Sequence, residues 1–387
     1  MTALLAFLKI SMNLRLPRSV STGAGRLHTA ARSLLSVFLS VVIFSASFLG
    51  AASVAWAGLP PGNAVTDGAA LLRYSLPIDN AEIRKVQGEV EGLSQWLRSK
   101  RWGPIKKDLK KVDKLLSRKR DAILASVPAE RQPQANELLD SIAAGIEPMI
   151  VLAEEKDQEG VWIARKELLD KVGELEELMV QGYPFEVPEE YDALPQLKGR
   201  ATVKFETTQG DVTVIADGYS APVTAGNFID LVNKGFYNNM PFIRAEDFYV
   251  LQTGDPEGPE EGYIDPKTKE YRAIPMEILV KGDDAPTYGV TLEEIGRYMD
   301  EPALPFNSYG SLALARPGND NNGGSSQFFF FLFEAELTPA GRNMLDGRYA
   351  VFGYTVDGKD VLRELSADDK IISAKVIDGL ENLQNPA

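Results

Sequence analysis

The chain has 387 residues, 44% of them hydrophobic and 25% charged, with 41 basic and 55 acidic side chains for a formal charge of −14. That apolar share fills one large or two ordinary cores and excludes wholesale disorder, while the acidic balance argues against a general nucleic-acid binder. No cysteine is present, so disulfides, thiolate nucleophiles and cysteine-ligated zinc are excluded as well.

Residues 1–57 carry five basic side chains (Lys9, Arg15, Arg18, Arg26, Arg32) and no acid, and an uncharged, mostly apolar run fills 34–56. The segment reads as an export signal peptide ending in the small-x-small sequence Ala55-Trp56-Ala57; an uncleaved membrane anchor is the rival that its length permits. The only histidine, His28, lies inside it. After cleavage the chain holds neither His nor Cys, and 36 basic against 55 acidic residues leave a formal −19. Imidazole chemistry is then excluded by inventory, and carboxylates, Lys, Arg, Tyr, hydroxyls and backbone remain.

Residues 58–182 read as a helical bundle. Apolar side chains recur at threes and fours, as in Ile105, Leu109, Val112, Leu116 and in Leu168, Val172, Leu175, Leu178. Breaks at Trp102-Gly103-Pro104, Ser126-Val127-Pro128 and near Glu159-Gly160 predict about four helices. Charge is segregated along this region. Residues 98–120 hold eleven bases, from Arg98 to Arg120, against Asp108 and Asp113, whereas 154–192 hold thirteen acids against four bases. Complementary solvated helix faces explain this, and so does a cationic stripe meeting an anionic membrane surface or an acidic partner.

Residues 183–198, acidic and proline-rich, predict an extended linker or a strap across the bundle. Beyond them the period changes to alternation. Val203, Phe205 and Thr207, a turn at Gln209-Gly210-Asp211, then Val212 and Val214 predict a β-hairpin opening a second domain over 199–387. A helix from Pro222 to Lys234 follows, with proline at its permissive first turn, then a Gly/Pro/Asp-rich segment over 255–308 and a strand over 327–333.

Three blocks in this domain are specific: Val203-Lys-Phe-Glu-Thr-Thr-Gln-Gly-Asp-Val-Thr-Val214 with Ala221-Pro-Val-Thr-Ala-Gly-Asn-Phe228; Gly235-Phe-Tyr-Asn238 with Phe242-Ile-Arg244 and Gln252-Thr-Gly-Asp-Pro256; and Gly323-Gly-Ser-Ser-Gln-Phe-Phe329 with Leu345-Asp-Gly-Arg348 and Val351-Phe-Gly353. In order and spacing they resemble the cyclophilin family of peptidyl-prolyl isomerases. The resemblance implies an α+β multidomain chain whose N-terminal all-α bundle precedes a closed eight-stranded antiparallel barrel capped by two helices, with a substrate groove on its outer face. It implies Arg244 as the catalytic arginine, Gln252 as the holder of the substrate backbone and Phe329 as the pocket floor. Phe242, Tyr249, Val250, Ala315, Gln327, Met344, Leu345 and Tyr349 fall at other groove positions.

That chemistry suits a chain without His or Cys. Rotation about an X-Pro bond is opposed by amide resonance, takes roughly tens of seconds unaided, and needs neither nucleophile nor obligatory proton transfer. A donor aimed at the prolyl nitrogen interacts more strongly with the twisted amide than with either planar form. No cofactor or metal is implied. The departures alter the walls: Tyr249 stands where the family has phenylalanine, Val250 for methionine, Ile243 for histidine, Met344 for tryptophan and Tyr349 for histidine. Weak, narrowed or lost activity is the expectation.

The segment over 255–310 is longer than in compact members and predicts a solvated, partner-facing insertion. Export signal, helical domain and divergent acidic cyclophilin together resemble the large thylakoid-lumen cyclophilins of cyanobacteria and plants. They imply a lumenal or periplasmic isomerase and chaperone that assists membrane-protein clients in photosystem II assembly by acting on their proline-containing loops. A catalytically inactive scaffold for assembly intermediates is the alternative, and a bundle that covers the groove a third reading. The expected partners are proline-containing clients, with membrane contact through the 98–120 stripe.

Overall fold

The structure is a computed structural model that describes residues 65–259, 261–333 and 343–386. Pro61–Ala387 form one compact unit; the export-signal expectation falls on residues outside those described. Among the described residues no helix is long and apolar enough to cross a membrane.

Five helices come first: α1 (Gly68–Ser75), α2 (Ala81–Arg98), α3 (Trp102–Leu124), α4 (Gln132–Glu155) and α5 (Gln158–Leu178). Side-chain caps start three of them. Asp67 accepts from the Ala70 N–H, Asn80 from Glu82 and Ile83, and Asp157 from Gly160, so donors with no intrahelical partner are satisfied. The helical-period residues Val86, Val90, Leu109, Val112, Leu139, Ile142, Val172 and Leu175 meet in one buried seam. The four long helices match the periodicity. Their first boundary does not: Trp102-Gly103-Pro104 open α3, and the break falls at Ser99–Arg101. Proline in a first turn loses no helical hydrogen bond, so it marks a start and not a gap.

The 183–198 segment straps the sheet, not the bundle. Phe185, Val187, Tyr191 and Leu194 pack with Val223, Ile274, Leu314 and Tyr288, and the Tyr183 hydroxyl donates to the Gly218 carbonyl. A short pair joins β1 (Gln196–Leu197) to β12 (Leu383–Gln384). The main sheet holds β2 (Arg200–Thr207), β3 (Gly210–Asp217), β4 (Phe242–Glu246), β5 (Val250–Thr253), β8 (Ser311–Leu314), β9 (Phe328–Phe331), β10 (Val351–Asp357) and β11 (Ile371–Asp378). Every neighbouring pair is antiparallel in the order β11-β2-β3-β10-β8-β9-β5-β4. Inside its curve lie Val203, Phe205, Val214, Leu251, Leu312, Phe328, Phe330 and Phe352, with Phe228 from α6 (Pro222–Asn233). The short helix α7 (Lys359–Glu364) adds Leu362.

The expected closed barrel is corrected to a curled open sheet. Its edges β4 and β11 share no ladder. They approach where β4 and β11 begin: Pro241 bridges Lys370, Phe242 N–H donates to Asp369 O, Ile371 N–H to Met240 O and Asn239 N–H to Ile372 O. Pro241 has no N–H to offer, which limits pairing at this seam.

The insertion is also more than a solvated loop. It carries the pair β6 (Glu277–Ile278) and β7 (Thr287–Tyr288) and a small core of Met276, Ile278, Val280 and Leu292. Glu277, 1% exposed, reaches to the start of α6 and accepts from the Val223 and Thr224 N–H groups at 3.1 and 2.8 Å. It caps a helix that has no side-chain cap of its own.

Helices and sheet meet at a buried polar joint. Arg200 of β2 donates to Glu177 of α5 at 2.9 Å, to Asp217 of β3 at 3.1 Å and to the Leu72 carbonyl of α1, while Ser75 donates to Asp217 at 2.8 Å. Beside it Glu176, with a fully buried side chain, takes one bond from Arg84 at 3.2 Å and leaves Oε2 without a partner. Burial pushes the Glu176 carboxyl up to about 7, with Arg84 and Arg73 opposing and Glu91 reinforcing the shift.

Two stability experiments follow from these contacts. Glu277→Ala orphans two buried N–H groups and should lower unfolding free energy by about 2–4 kcal/mol in urea titrations, with Glu277→Gln costing less because it keeps one acceptor. Glu176 holds its proton to a higher pH when folded than when unfolded. Its contribution is therefore present below the unfolded carboxyl range and lost as pH rises toward 7. Glu176→Gln should flatten that decline, with a gap from the parent of up to roughly 3 kcal/mol above neutral pH and almost none in acid.

Candidate active site

The sheet register assembles the site. Arg244 of β4 pairs with Gln252 of β5, Gln252 with Phe329 of β9, and Phe329 with Ala313 of β8. Directly opposed residues in antiparallel strands share a face, so Arg244, Gln252 and Phe329 form one cross-strand row. Strand alternation makes that face the outer one. Phe328 and Phe330 enter the interior core, whereas Phe329 and Phe331 join an outer cluster with Val250, Leu304, Phe306, Val351, Tyr354 and, from α1, Leu71 and Leu72.

Arg244 stands at the rim with a half-exposed side chain. Its Nε donates to Glu246 at 2.7 Å, and its guanidinium carbon lies 5.8 Å from the Tyr249 ring centre. Glu246, two residues along the same strand and thus on the same face, raises the Arg244 pKa through that hydrogen bond, so the charge is permanent. Among the described residues neither terminal nitrogen has a hydrogen-bond partner, so both can serve a ligand. Tyr249 meets Phe331 edge-on at 6.0 Å.

Gln252 donates from Nε2 to Gln327 Oε1 at 2.7 Å, and Gln327 donates to Asp255 Oδ1 at 3.1 Å and to the Glu261 carbonyl at 2.9 Å. Ala315 follows β8, and its N–H is held by the Gln327 carbonyl at 2.9 Å. On the far side Tyr349 meets Phe329 edge-on at 5.5 Å, with the Arg316 guanidinium 5.1 Å above its ring, and Leu345 packs into the same outer cluster.

Nine of the expected groove residues thus gather about one face: Arg244, Tyr249, Val250, Gln252, Ala315, Gln327, Phe329, Leu345 and Tyr349. Two do not serve as expected. Phe242 points into the interior core, because a register shift separates it from Arg244 along β4. Met344 is 83% exposed and lines a separate hollow with Glu293, Tyr298 and Arg348. The floor is tighter than a ready-made slot: Phe329 is 5% exposed, stacked 6.1 Å from Phe306 at an interplanar angle of 5°.

Sequence reasoning missed Phe306, Glu246 and Arg316. Phe306 sits in the insertion, where no periodicity announces an inward residue, and its N–H is fixed by Asp346 at 2.8 Å. Glu246 was findable, since i and i+2 share a strand face and an acid there meets Arg244.

Comparison with known proteins matches both regions of the chain. A family model described as the PsbQ-like domain of CYP38-like peptidyl-prolyl cis-trans isomerases matches residues 67–180, and one described as cyclophilin type peptidyl-prolyl cis-trans isomerase matches 202–379. A Synechocystis sp. protein named as a thylakoid lumen peptidyl-prolyl cis-trans isomerase is 56% identical over 327 residues, covering 84% of this chain and 86% of that one. The chloroplastic isomerase CYP38 of Arabidopsis thaliana is 44% identical over 337 residues, covering 84% and 77%. A crystal structure of a cyclophilin type isomerase from Cryptosporidium parvum covers 46% of this chain and 99% of its own at a TM-score of 0.35 and 22% identity. With both of its regions matched and relatives aligned over most of their length, this chain belongs to the cyclophilin-type peptidyl-prolyl cis-trans isomerases that carry a PsbQ-like helical domain ahead of the isomerase domain.

Proposed function

We propose that this cyclophilin-type isomerase of the thylakoid lumen acts on proline-containing loops of membrane-protein clients, assisting their folding and assembly into photosystem II. The observation that carries the catalytic part is the cross-strand row Arg244, Gln252, Phe329 on the outer face of the sheet. The lumenal setting is supported by relatives named for the thylakoid lumen and the chloroplast. The photosystem II role rests on the resemblance to the large lumenal cyclophilins.

In this reading the client proline settles against Phe329 and Tyr349 while Gln252 holds its backbone. The exposed guanidinium of Arg244 then donates toward the prolyl nitrogen as amide resonance is lost, a bond available only in the twisted state. No bond to the protein forms or breaks. Glu246 is a positioning residue: by engaging Nε it turns the two terminal nitrogens outward.

A second reading, a binding module with little catalysis, is favoured by one observation. Phe329 and Val250 are 5% and 4% exposed, packed by the chain's own Phe306 and Phe331, so a proline ring finds a shallow seat.

An isomerisation assay with a proline peptide distinguishes the two. Arg244→Ala should lower kcat/KM by about 100-fold or more if the arginine stabilises the twisted amide; equal background rates in parent and variant establish the binding module. Glu246→Ala should lower kcat by about tenfold with little change in KM, as a misaimed donor does. Glu246→Gln, which keeps the acceptor, should restore most of it.

A further inference from the structure

The eleven bases over 98–120 separate into rows once α3 is placed in the bundle. Its buried face is Ile105, Leu109, Val112 and Leu116. On one flank Lys111 pairs with Glu89 and Lys119 with Glu82, both on α2; on the other Lys106 pairs with Glu154 and Arg120 with Asp140, both on α4. Opposite the buried face, at spacings of three, four and four, stand Lys107, Lys110, Lys114 and Arg118, all exposed and none with a side-chain partner among the described residues. The last residue of α2, Arg98, and Lys100 in the turn before α3 add two more exposed bases. The acids of α3 itself are Asp113, Asp121 at its end and Asp108, which accepts from Trp96.

We propose that this row is a docking face for an anionic lipid surface. Complementary solvated pairing accounts for the flanks but not for the centre. At physiological salt charges more than about 8 Å apart are largely screened, so the row can attract an anionic surface although the chain as a whole is acidic. The composition separates lipid from protein as the occupant. Interfaces between proteins centre on large apolar or aromatic side chains and are poor in lysine. None of the exposed large hydrophobic residues lies on α3, whereas a headgroup field asks only for solvated point charges in line. The contact holds the isomerase reversibly at a bilayer and is independent of whether the groove catalyses.

Vesicle flotation tests it with Pro61–Ala387, a compact unit that leaves out the apolar run capable of binding lipid by itself. The unit should float with vesicles of phosphatidylcholine and phosphatidylglycerol but not of phosphatidylcholine alone, and should detach as salt rises from about 0.1 to 1 M. At roughly fivefold in partitioning per base, Lys107→Gln, Lys110→Gln, Lys114→Gln and Arg118→Gln together should weaken binding at least about 100-fold. Arginine at the three lysines should preserve it. Lys267→Gln, Lys269→Gln, Lys370→Gln and Lys375→Gln, four exposed lysines elsewhere, should leave it intact. Undiminished binding by the first variant, equal loss in the second, or capture by a polyglutamate peptide without vesicle binding would each overturn the proposal.

Discussion

The guanidinium of Arg200 is where helices and sheet become one body. With its side chain 9% exposed, it donates at once to α5, α1 and β3. A buried cation is tolerable only when carboxylates and carbonyls surround it, and here Glu177, Asp217 and the Leu72 carbonyl do so from three elements. By fixing α1 it also sets Leu71 and Leu72 into the apolar cluster behind Phe329. The polar joint and the outer face of the sheet therefore depend on each other.

Much of this architecture was legible because local patterns and tertiary packing agree. The 3.6-residue stripes of α2 to α5 and the alternation of β2 and β3 bury the side chains their periods select. The four phenylalanines of β9 divide between two faces as a strand requires. What was hidden has short or irregular sequence support. Helix α1 is eight residues, too brief to show a period. The fate of residues 183–198 hinges on which surface offers partners for Phe185 and Tyr191, which no local pattern states. The open edge of the sheet lies at a seam, beside Pro241, that is visible only after folding.

The candidate site divides in the same way. Arg244, Gln252 and Phe329 were identifiable by resemblance, and register explains why three distant residues converge. The tightness of the floor was not, because it comes from Phe306, delivered from a segment whose composition suggested solvent. That segment instead caps α6, builds a small core and backs Phe329, so the insertion belongs to the machinery of the domain.

The amide chain behind the groove carries a polarity. Asp255 as a carboxylate and the Glu261 carbonyl can only accept, which obliges Gln327 to turn its nitrogen toward them and its oxygen toward Gln252. Gln252 must then spend a hydrogen on Gln327 and presents its own oxygen outward. A backbone laid across it would meet an acceptor for one N–H, and the second amide hydrogen of Gln252, without a partner among the described residues, stays free to meet a carbonyl.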